Sequence, residues 1–227
     1  MDQAEPHALR LVRHPRGADR TAPTLLVLLP GVNIRAEDFV AHDFVAVLHA
    51  QNEPVDLLIA EPDLDFYLDG TIARRLAAML AEEMQPPHRR LWLGGVSLGG
   101  FGALLATAGG RVAVDGLLLL APFLGTPGFI AEIERAGGFS RWQPGEIASN
   151  DGERRVCAWV KNYMATEPRH PVLHLGYGNT DRFAPASRLL AAGQPATNCH
   201  VEEGGHDWPT WKRLWARILD ARPFIVS

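Results

Sequence analysis

Short, strongly apolar runs alternate along this chain with segments whose apolar residues recur every three or four positions. Two early runs, TLLVLLP at 24–30 and VDLLIAEP at 55–62, are rich in leucine and β-branched residues and end at proline, which predicts strands. Four later runs predict further strands: RLWLGGV at 90–96, VDGLLLLAPF at 114–123, HPVLHLGY at 170–177 and TNCHVEE at 197–203.

Segments with helical spacing lie between these runs. The stretch GTIARRLAAMLAEEM at 70–84 places Ile72, Leu76, Met79 and Leu80 on one helix face. Further helices are predicted for GGFGALLATAG at 99–109, PASRLLAAG at 185–193 and PTWKRLWARILDA at 209–221. Strands that are apolar on both faces and alternate with helices predict an α/β fold: a doubly wound, mostly parallel sheet with helices on both faces.

One segment interrupts this alternation. Residues 124–169 are longer than an ordinary crossover and carry two phenylalanines and two tryptophans. We interpret the segment as a small cap insertion with one or two helices, the clearest being DGERRVCAWVKNYMAT at 151–166, within a single domain over 1–227. A surface excursion without fixed structure is the alternative.

Composition and charge exclude some partners. The net charge is -4 and no long run of one sign occurs, so no basic stripe favours nucleic acid. The stretch MDQAEPHALRLVRHPRGADR has early acids and no apolar core of signal-peptide length, and the apolar runs are too short to cross a bilayer. We therefore expect a soluble cytoplasmic protein that does not associate with membranes. The sequence leaves open whether the protein forms a homodimer.

The two cysteines, Cys157 and Cys199, fall in a helical and a strand pattern respectively. In a chain of 227 residues, which is long enough to build a sizeable core, they predict free buried thiols rather than a disulfide.

The stretch LWLGGVSLGGFGALLAT at 91–107 carries the strongest chemical signal. Ser97 lies where a strand ends and a helix begins, the edge at which open α/β sheets carry their sites, and Gly95 and Gly99 complete G-x-S-x-G. In that motif the turn is so sharp that larger residues two positions either side of the serine collide. A phosphate-binding loop needs Lys and then Ser or Thr after its last glycine, whereas Gly100 and Phe101 follow here. A nucleophile is therefore favoured over a phosphate site or a plain turn.

A serine hydroxyl needs a base and a group that orients the base. Asp181 follows a predicted strand in LHLGYGNTDRFAP, and His206 follows the last one in VEEGGHDWPTW, in the order that this architecture requires. Alone, an aspartate in a Gly/Asn turn is most often a solvated or capping residue. Together the three predict a Ser-His-Asp triad, with Asp181 preferred to Asp207, which cannot easily turn back onto the neighbouring ring.

Acyl transfer also needs donors for an oxyanion. The Leu98 amide, directly after the serine, is one candidate, and the second should come from the loop after the first strong strand. In PGVNIRAEDF we expect the Val32 amide to fill this role, with Asn33 next.

Substrate contacts are predicted at strand ends and in the insertion. Asn33 is one, and the loop EPDLDFYLDG offers Asp65 and Tyr67. The insertion contributes Trp142 and Trp159, for which ordinary packing is the alternative.

The stretches GGVSLGGFGALLAT and GGHDWPTW resemble the α/β-hydrolase superfamily, and within it the carboxylesterase branch that includes esterase D and tributyrin or acetyl esterases. That branch usually has His-Gly where this chain has Pro30 and Gly31, and often Met where it has Leu98. The specific matches are Ser97, Gly99, Gly100, Gly205, His206 and Trp208.

The resemblance implies a serine hydrolase that cleaves carboxylic esters of small acyl substrates through an acyl-enzyme, with no metal or organic cofactor. A thioesterase or acyltransferase acting on a carrier-bound acyl group is the first alternative. A noncatalytic ligand-binding member of the fold is the second.

Overall fold

The computed structural model describes residues 9–16, 22–86 and 88–225, and within them one sheet contains seven strands. The strands are β1 (Arg10–His14), β2 (Thr24–Leu29), β3 (Val55–Glu61), β4 (Arg90–Val96), β5 (Gly116–Leu120), β6 (Val172–Gly178) and β7 (Cys199–Glu202). Their order is β1-β3-β2-β4-β5-β6-β7, and only β1 runs antiparallel to its neighbour. The predicted mostly parallel sheet is confirmed, with β1 as an edge strand that the apolar pattern does not reveal.

The helices follow the periodicity closely. They are α1 (Ala36–Ala41), α2 (Phe44–Ala50), α3 (Asp65–Leu68), α4 (Ile72–Glu83), α5 (Leu98–Ala108), α6 (Pro127–Arg135), α7 (Gly152–Ala165), α8 (Ala184–Ala191) and α9 (Trp208–Asp220), with a 3₁₀ turn at Ala196–Asn198. The predicted helices α4, α5, α7, α8 and α9 are all present within about two residues of the expected ends. The short helices α1 to α3 carry no clear periodic signal.

Alternate residues of each strand feed two separate apolar layers. In β2, Leu25, Val27 and Leu29 pack into a layer covered by α4, α5, α6, α7 and α8, while Leu26 and Leu28 pack into a layer covered by α1, α2 and α9. The strands β2 to β6 are buried on both faces because helices cover both, as predicted, whereas the edge strands β1 and β7 are partly exposed.

Residues 124–169 contain α6 and α7, and their buried side chains join the layer that also covers α5. Phe129, Trp142 and Val156 are among these side chains. The insertion therefore shares the core of the sheet, and its role as a cap stays a prediction.

Both cysteines are free, as predicted. Cys157 is buried on α7 and its Sγ lies 3.4 Å from the Leu124 carbonyl, and burial raises the pKa of this thiol. Cys199 is only partly buried at the start of β7.

No helix within the described ranges is both long enough and apolar enough to cross a bilayer. Residues 1–8 and 17–20 lie outside the described residues. They make up much of the stretch at 1–20, from which we expect no signal peptide.

The strand order reverses at the centre of the sheet. From β2 the chain moves outward to β3 on one side, and from β4 it moves outward through β5, β6 and β7 on the other. The carboxyl ends of β2 and β4 therefore open a crevice, which is where doubly wound sheets bind ligands.

Candidate active site

Ser97 occupies this crevice in a backbone conformation that non-glycine residues rarely adopt. It lies between the end of β4 and the start of α5, with φ of 56° and ψ of -119°. The Ser97 amide donates to the Leu120 carbonyl at 3.0 Å, and the Ser97 carbonyl accepts from the Phe123 amide at 3.0 Å. Hydrogen bonds to the β5 end on both sides hold the strained turn in place.

The glycines that flank the serine are required by contact with other backbone atoms. A Cβ built on Gly99 would lie 1.9 Å from the Leu29 carbonyl oxygen, and one on Gly95 would lie 2.3 Å from the carbonyl carbon of Gly99. Neither neighbour is a side chain that can rotate away. The collision expected from the G-x-S-x-G motif is therefore present at both positions.

His206 and Asp181 meet through a direct hydrogen bond. Asp181 follows β6 and its side chain is fully buried, while His206 lies in the loop between β7 and α9. Nδ1 of His206 is 2.8 Å from Oδ2 of Asp181, and the other carboxylate oxygen accepts from the Phe183 amide at 2.8 Å. An ionised carboxylate only accepts hydrogen bonds, so Nδ1 carries the proton and Nε2 keeps its lone pair.

Two aromatic rings fix the plane of the His206 imidazole. Phe183 and Trp211 lie with ring centroids 5.0 and 4.9 Å from it, at interplanar angles of 90° and 88°. Edge-to-face contacts from both rings restrict rotation of the imidazole away from Asp181.

Asp207 has a different task. Its side chain accepts from the Thr210 amide at 2.9 Å and so caps the N-terminus of α9. Hydrogen bonds from Thr210 lower the pKa of Asp207 below its ordinary value, which keeps the cap ionised. The structure thus pairs His206 with Asp181 and not with its own sequence neighbour.

Ser97 and His206 line the same cavity, of about 720 Å³, and Asp181 lies behind the histidine. His42 also lines it and stacks on Trp208 at 4.2 Å. The remaining walls are mostly apolar, with Val32, Ile34, Leu98, Phe123, Phe183, Trp208, Pro209 and Trp211, and they also include the charged residues Arg182 and Asp207. We call this space the aromatic cavity.

The two predicted oxyanion donors lie beside the serine. A Cβ on Gly31 would be 3.1 Å from Cβ of Ser97, so the turn after β2 abuts the nucleophile position, and Val32 and Leu98 both line the aromatic cavity. Leu98 is the first residue of α5, and its amide consequently has no acceptor within the helix.

The predicted substrate contacts are only partly brought together. Asn33 and Tyr67 line a second cavity beside the first. Asp65 is exposed on α3 and lines neither the aromatic cavity nor this neighbour.

The two tryptophans of the insertion also lie away from both cavities. Trp142 is 2% exposed, because its indole packs on Phe129 and its Nε1 donates to Glu132 at 2.9 Å. Trp159 stacks on Tyr163 along α7 at 5.1 Å. Both residues have the packing contacts of the alternative interpretation, and a substrate contact for either one stays a prediction that these two cavities do not support.

Sequence reasoning missed the aromatic residues that wall the cavity. Phe123 ends a predicted strand run and Phe183 comes two residues after Asp181, so both follow the carboxyl ends of strands. Their position directly after strand ends is the sequence signal that could have identified them as cavity residues. Trp208 and Trp211 pack α9 against the sheet, and they line the cavity as well.

Metal-binding groups are not evident in the part of the chain that the structure describes, where no three His, Cys, Asp or Glu side chains are placed to hold an ion.

Comparisons identify the fold. No family model and no curated protein matches this chain. Among solved structures, Est1E from Butyrivibrio proteoclasticus is 18% identical with a TM-score of 0.58 and 94% of each chain covered. A monoacylglycerol lipase from Paleococcus ferrophilus is 14% identical with a TM-score of 0.57, covering 96% of this chain and 98% of the other.

A third match is an alpha/beta hydrolase enzyme from a metagenome of lagoon sediments of Mar Chica, Morocco. It is 19% identical with a TM-score of 0.54, and 91% of this chain and 90% of that one are covered. The chain has the α/β-hydrolase fold, and identities this low establish the fold alone.

Proposed function

We propose that this protein is a serine hydrolase that cleaves carboxylic esters of small acyl substrates, with Ser97 as nucleophile, His206 as base and Asp181 as the group that orients it. The observation that carries the proposal is the 2.8 Å hydrogen bond from His206 to buried Asp181, beside a cavity that His206 shares with a strained serine. A base held in one tautomer next to a serine turn is the arrangement that nucleophilic acyl transfer requires.

In the first half-reaction, Nε2 of His206 accepts the Ser97 hydroxyl proton while Oγ bonds to the ester carbonyl carbon. The carbonyl π electrons move to oxygen, and the resulting oxyanion accepts hydrogen bonds from the Leu98 and Val32 amides. As the intermediate collapses, the bond to the alcohol oxygen breaks and the imidazolium gives its proton to that oxygen. The products are a free alcohol and an acyl group on Ser97.

In the second half-reaction, a water molecule gives a proton to Nε2 of His206 as its oxygen bonds to the acyl carbon. Collapse of this second intermediate breaks the bond to Oγ of Ser97, which takes the proton back and releases the acid. Asp181 remains ionised throughout and stabilises the imidazolium in both steps.

The aromatic cavity supports a small apolar or aromatic acyl group, because most of the residues that line its volume of about 720 Å³ are apolar or aromatic. Its two charged lining residues already have contacts within the protein: Asp207 caps α9, and the Arg182 guanidinium lies 4.9 Å from the Phe183 ring centroid. The names of two structural neighbours agree with ester chemistry: one is a monoacylglycerol lipase and another is a ferulic acid esterase.

A fluorophosphonate probe tests the proposed nucleophile. We expect the folded protein to be labelled, and Ser97→Ala and His206→Ala to abolish labelling and hydrolysis of p-nitrophenyl butyrate. His49→Ala, which changes an exposed histidine on α2, is the matched control and should be labelled like the wild type.

Failure of the folded wild type to label would overturn the proposal. Acyl-CoA thioesters of the same chain length separate the remaining alternative, since a clear preference for them would replace the esterase by a thioesterase or acyltransferase.

A further inference from the structure

A second cavity, of about 550 Å³, lies directly beside the aromatic cavity and differs from it in chemistry. Its walls carry the charged or amide side chains of Arg10, Asn33, Arg35, Glu61 and Asp63. We call it the polar cavity. Neither the triad nor the acyl site proposed above uses these groups.

The two cavities share three wall residues, Val32, Ile34 and Leu98. Two of these, Val32 and Leu98, carry the amides proposed to hold the oxyanion. An ester carbonyl bound there would lie at the boundary, and its acyl and alcohol halves extend away from it in different directions. One half therefore has access to the aromatic cavity while the other has access to the polar cavity.

Long-range pairing builds the polar cavity. Arg10 of β1 is in register with Glu61 of β3, and its guanidinium donates to Glu61 at 2.9 Å and to Glu37 at 3.1 Å. Glu61 also accepts from the Ala36 amide at the start of α1. The edge strand and the first helix thus fix one wall of the cavity.

Charge in the polar cavity is balanced. Two guanidinium groups, on Arg10 and Arg35, and two carboxylates, on Glu61 and Asp63, line the cavity, and Arg10 is already paired with Glu61 and with neighbouring Glu37, so a charged ligand gains little net attraction. The Arg35 guanidinium and the Asn33 amide also line the cavity, and a guanidinium or an amide group can hydrogen-bond to two neighbouring hydroxyls. This lining fits an uncharged group with several hydroxyls.

Tyr67 adds an aromatic surface to the same cavity. Its hydroxyl is buried without a hydrogen-bond partner and would lie 2.5 Å from a Cβ on Gly102. What Tyr67 presents to the polar cavity is therefore its ring and not its hydroxyl.

We infer that the polar cavity binds the alcohol half of the substrate, and that this half is an uncharged polyhydroxylated group such as a sugar or polyol. The inference rests on the proposed hydrolase function and specifies its substrate class: an ester that joins an apolar or aromatic acid to a polyol.

The test compares two esters of one acid, methyl 3-phenylpropionate and 6-O-(3-phenylpropionyl)-glucose, by kcat and KM. The selectivity ratio is kcat/KM for the glucose ester divided by kcat/KM for the methyl ester. We expect a wild-type selectivity ratio of about ten, which is the factor that one or two hydrogen bonds to charged groups would give.

Arg35→Ala should lower this ratio about tenfold, because it removes one of the two guanidinium groups. Asn33→Gly is the second variant, since Asn33 has φ of 60° and glycine keeps that conformation where alanine would strain it. Arg111→Ala is the matched control: this exposed arginine lies between α5 and the amino end of β5, away from the carboxyl ends of the strands, and its ratio should equal that of the wild type.

Calorimetric titration of Ser97→Ala with both esters gives a readout without turnover, and tighter binding of the glucose ester is expected. Equal kcat/KM for the two esters, or equal loss on both in Arg35→Ala, would overturn the polyol assignment while the hydrolase proposal stands. Absence of both hydrolysis and fluorophosphonate labelling would instead refute the hydrolase itself.

Discussion

His206 and Asp181 are separated by 25 residues in the chain, yet Nδ1 of the one lies 2.8 Å from a fully buried carboxylate oxygen of the other. Because the same carboxylate also accepts from the Phe183 amide, its position does not depend on the histidine. This pair supports a test that leaves the shape of the site intact.

Asp181→Asn should lower kcat for p-nitrophenyl butyrate by about 10³- to 10⁴-fold with little change in the midpoint of urea unfolding, because an amide that donates to Nδ1 favours the wrong imidazole tautomer. Steady-state kinetics and urea titration measure the two effects. A loss smaller than tenfold would show that Asp181 does not orient the base.

Asp207→Ala should have the opposite combination of effects: lower stability, with labelling of Ser97 retained. Removing the cap of α9 should lower the free energy of unfolding by about 1 kcal/mol, because the Thr210 amide loses its acceptor. The variant should still be labelled at Ser97 by a fluorophosphonate. If Asp207→Ala abolished labelling while Asp181→Asn did not, the assignment of the acid would have to be reversed.

Gly99→Ala should destabilise the protein by about 3 kcal/mol or more, since its Cβ would overlap the Leu29 carbonyl and one strand would have to move. Gly128→Ala in α6 is the matched control, because a Cβ there meets nothing within 4 Å. We expect that control to be neutral or slightly stabilising in thermal unfolding, as alanine favours a helix over glycine by about 1 kcal/mol. Equal unfolding temperatures for the two variants would contradict the contact.

Acid should destabilise the fold through His174. Burial, together with the smaller effect of neighbouring His200, whose ring centroid is 6.1 Å away, lowers its pKa from 6.5 to about 4. The unfolded chain then binds more protons than the native state between these values, so this stability is complete above pH 6.5 and is lost as pH falls towards 4. The loss is about 3 kcal/mol for His174.

The variant His174→Leu measures how much His174 contributes to the pH dependence of stability. Urea unfolding at pH 7.5 and pH 4.5 should show a smaller decrease in free energy for the variant than for the wild type, because a leucine takes up no proton. His200 is also buried with a lowered pKa, so part of the pH dependence should remain. A variant whose pH dependence equals that of the wild type would exclude His174 as its source.

The parallel core of the fold is predictable because its signal is local. A run such as LLVLL carries its own evidence of burial on both faces, and each later strand repeats it. The edge strand β1 is different, because Arg10 and Arg13 expose charges whose partners, Glu61 and Glu83, lie 51 and 70 residues further along. No window of sequence contains both members of such a pair.

The same distinction applies to the site. Ser97, Asp181 and His206 follow strand ends in a recognisable order, and their positions along the sequence are enough to suggest them. The polar cavity depends on the pairing of β1 with β3, and the burial of Trp142 depends on Glu132 and Phe129 of α6, which its own stretch of sequence does not contain. The sequence therefore predicts the elements themselves but not the contacts between them.

The neighbouring positions of His206 and Asp207 link heat inactivation to one helix end. When the whole first turn of α9 unfolds on warming, the backbone at Asp207 moves with it, and we expect the adjacent imidazole to move away from Asp181 while the strands remain paired. Residual turnover should therefore decline on warming at a lower temperature than the far-ultraviolet circular dichroism signal. The protein would then lose its chemistry reversibly before it loses its fold.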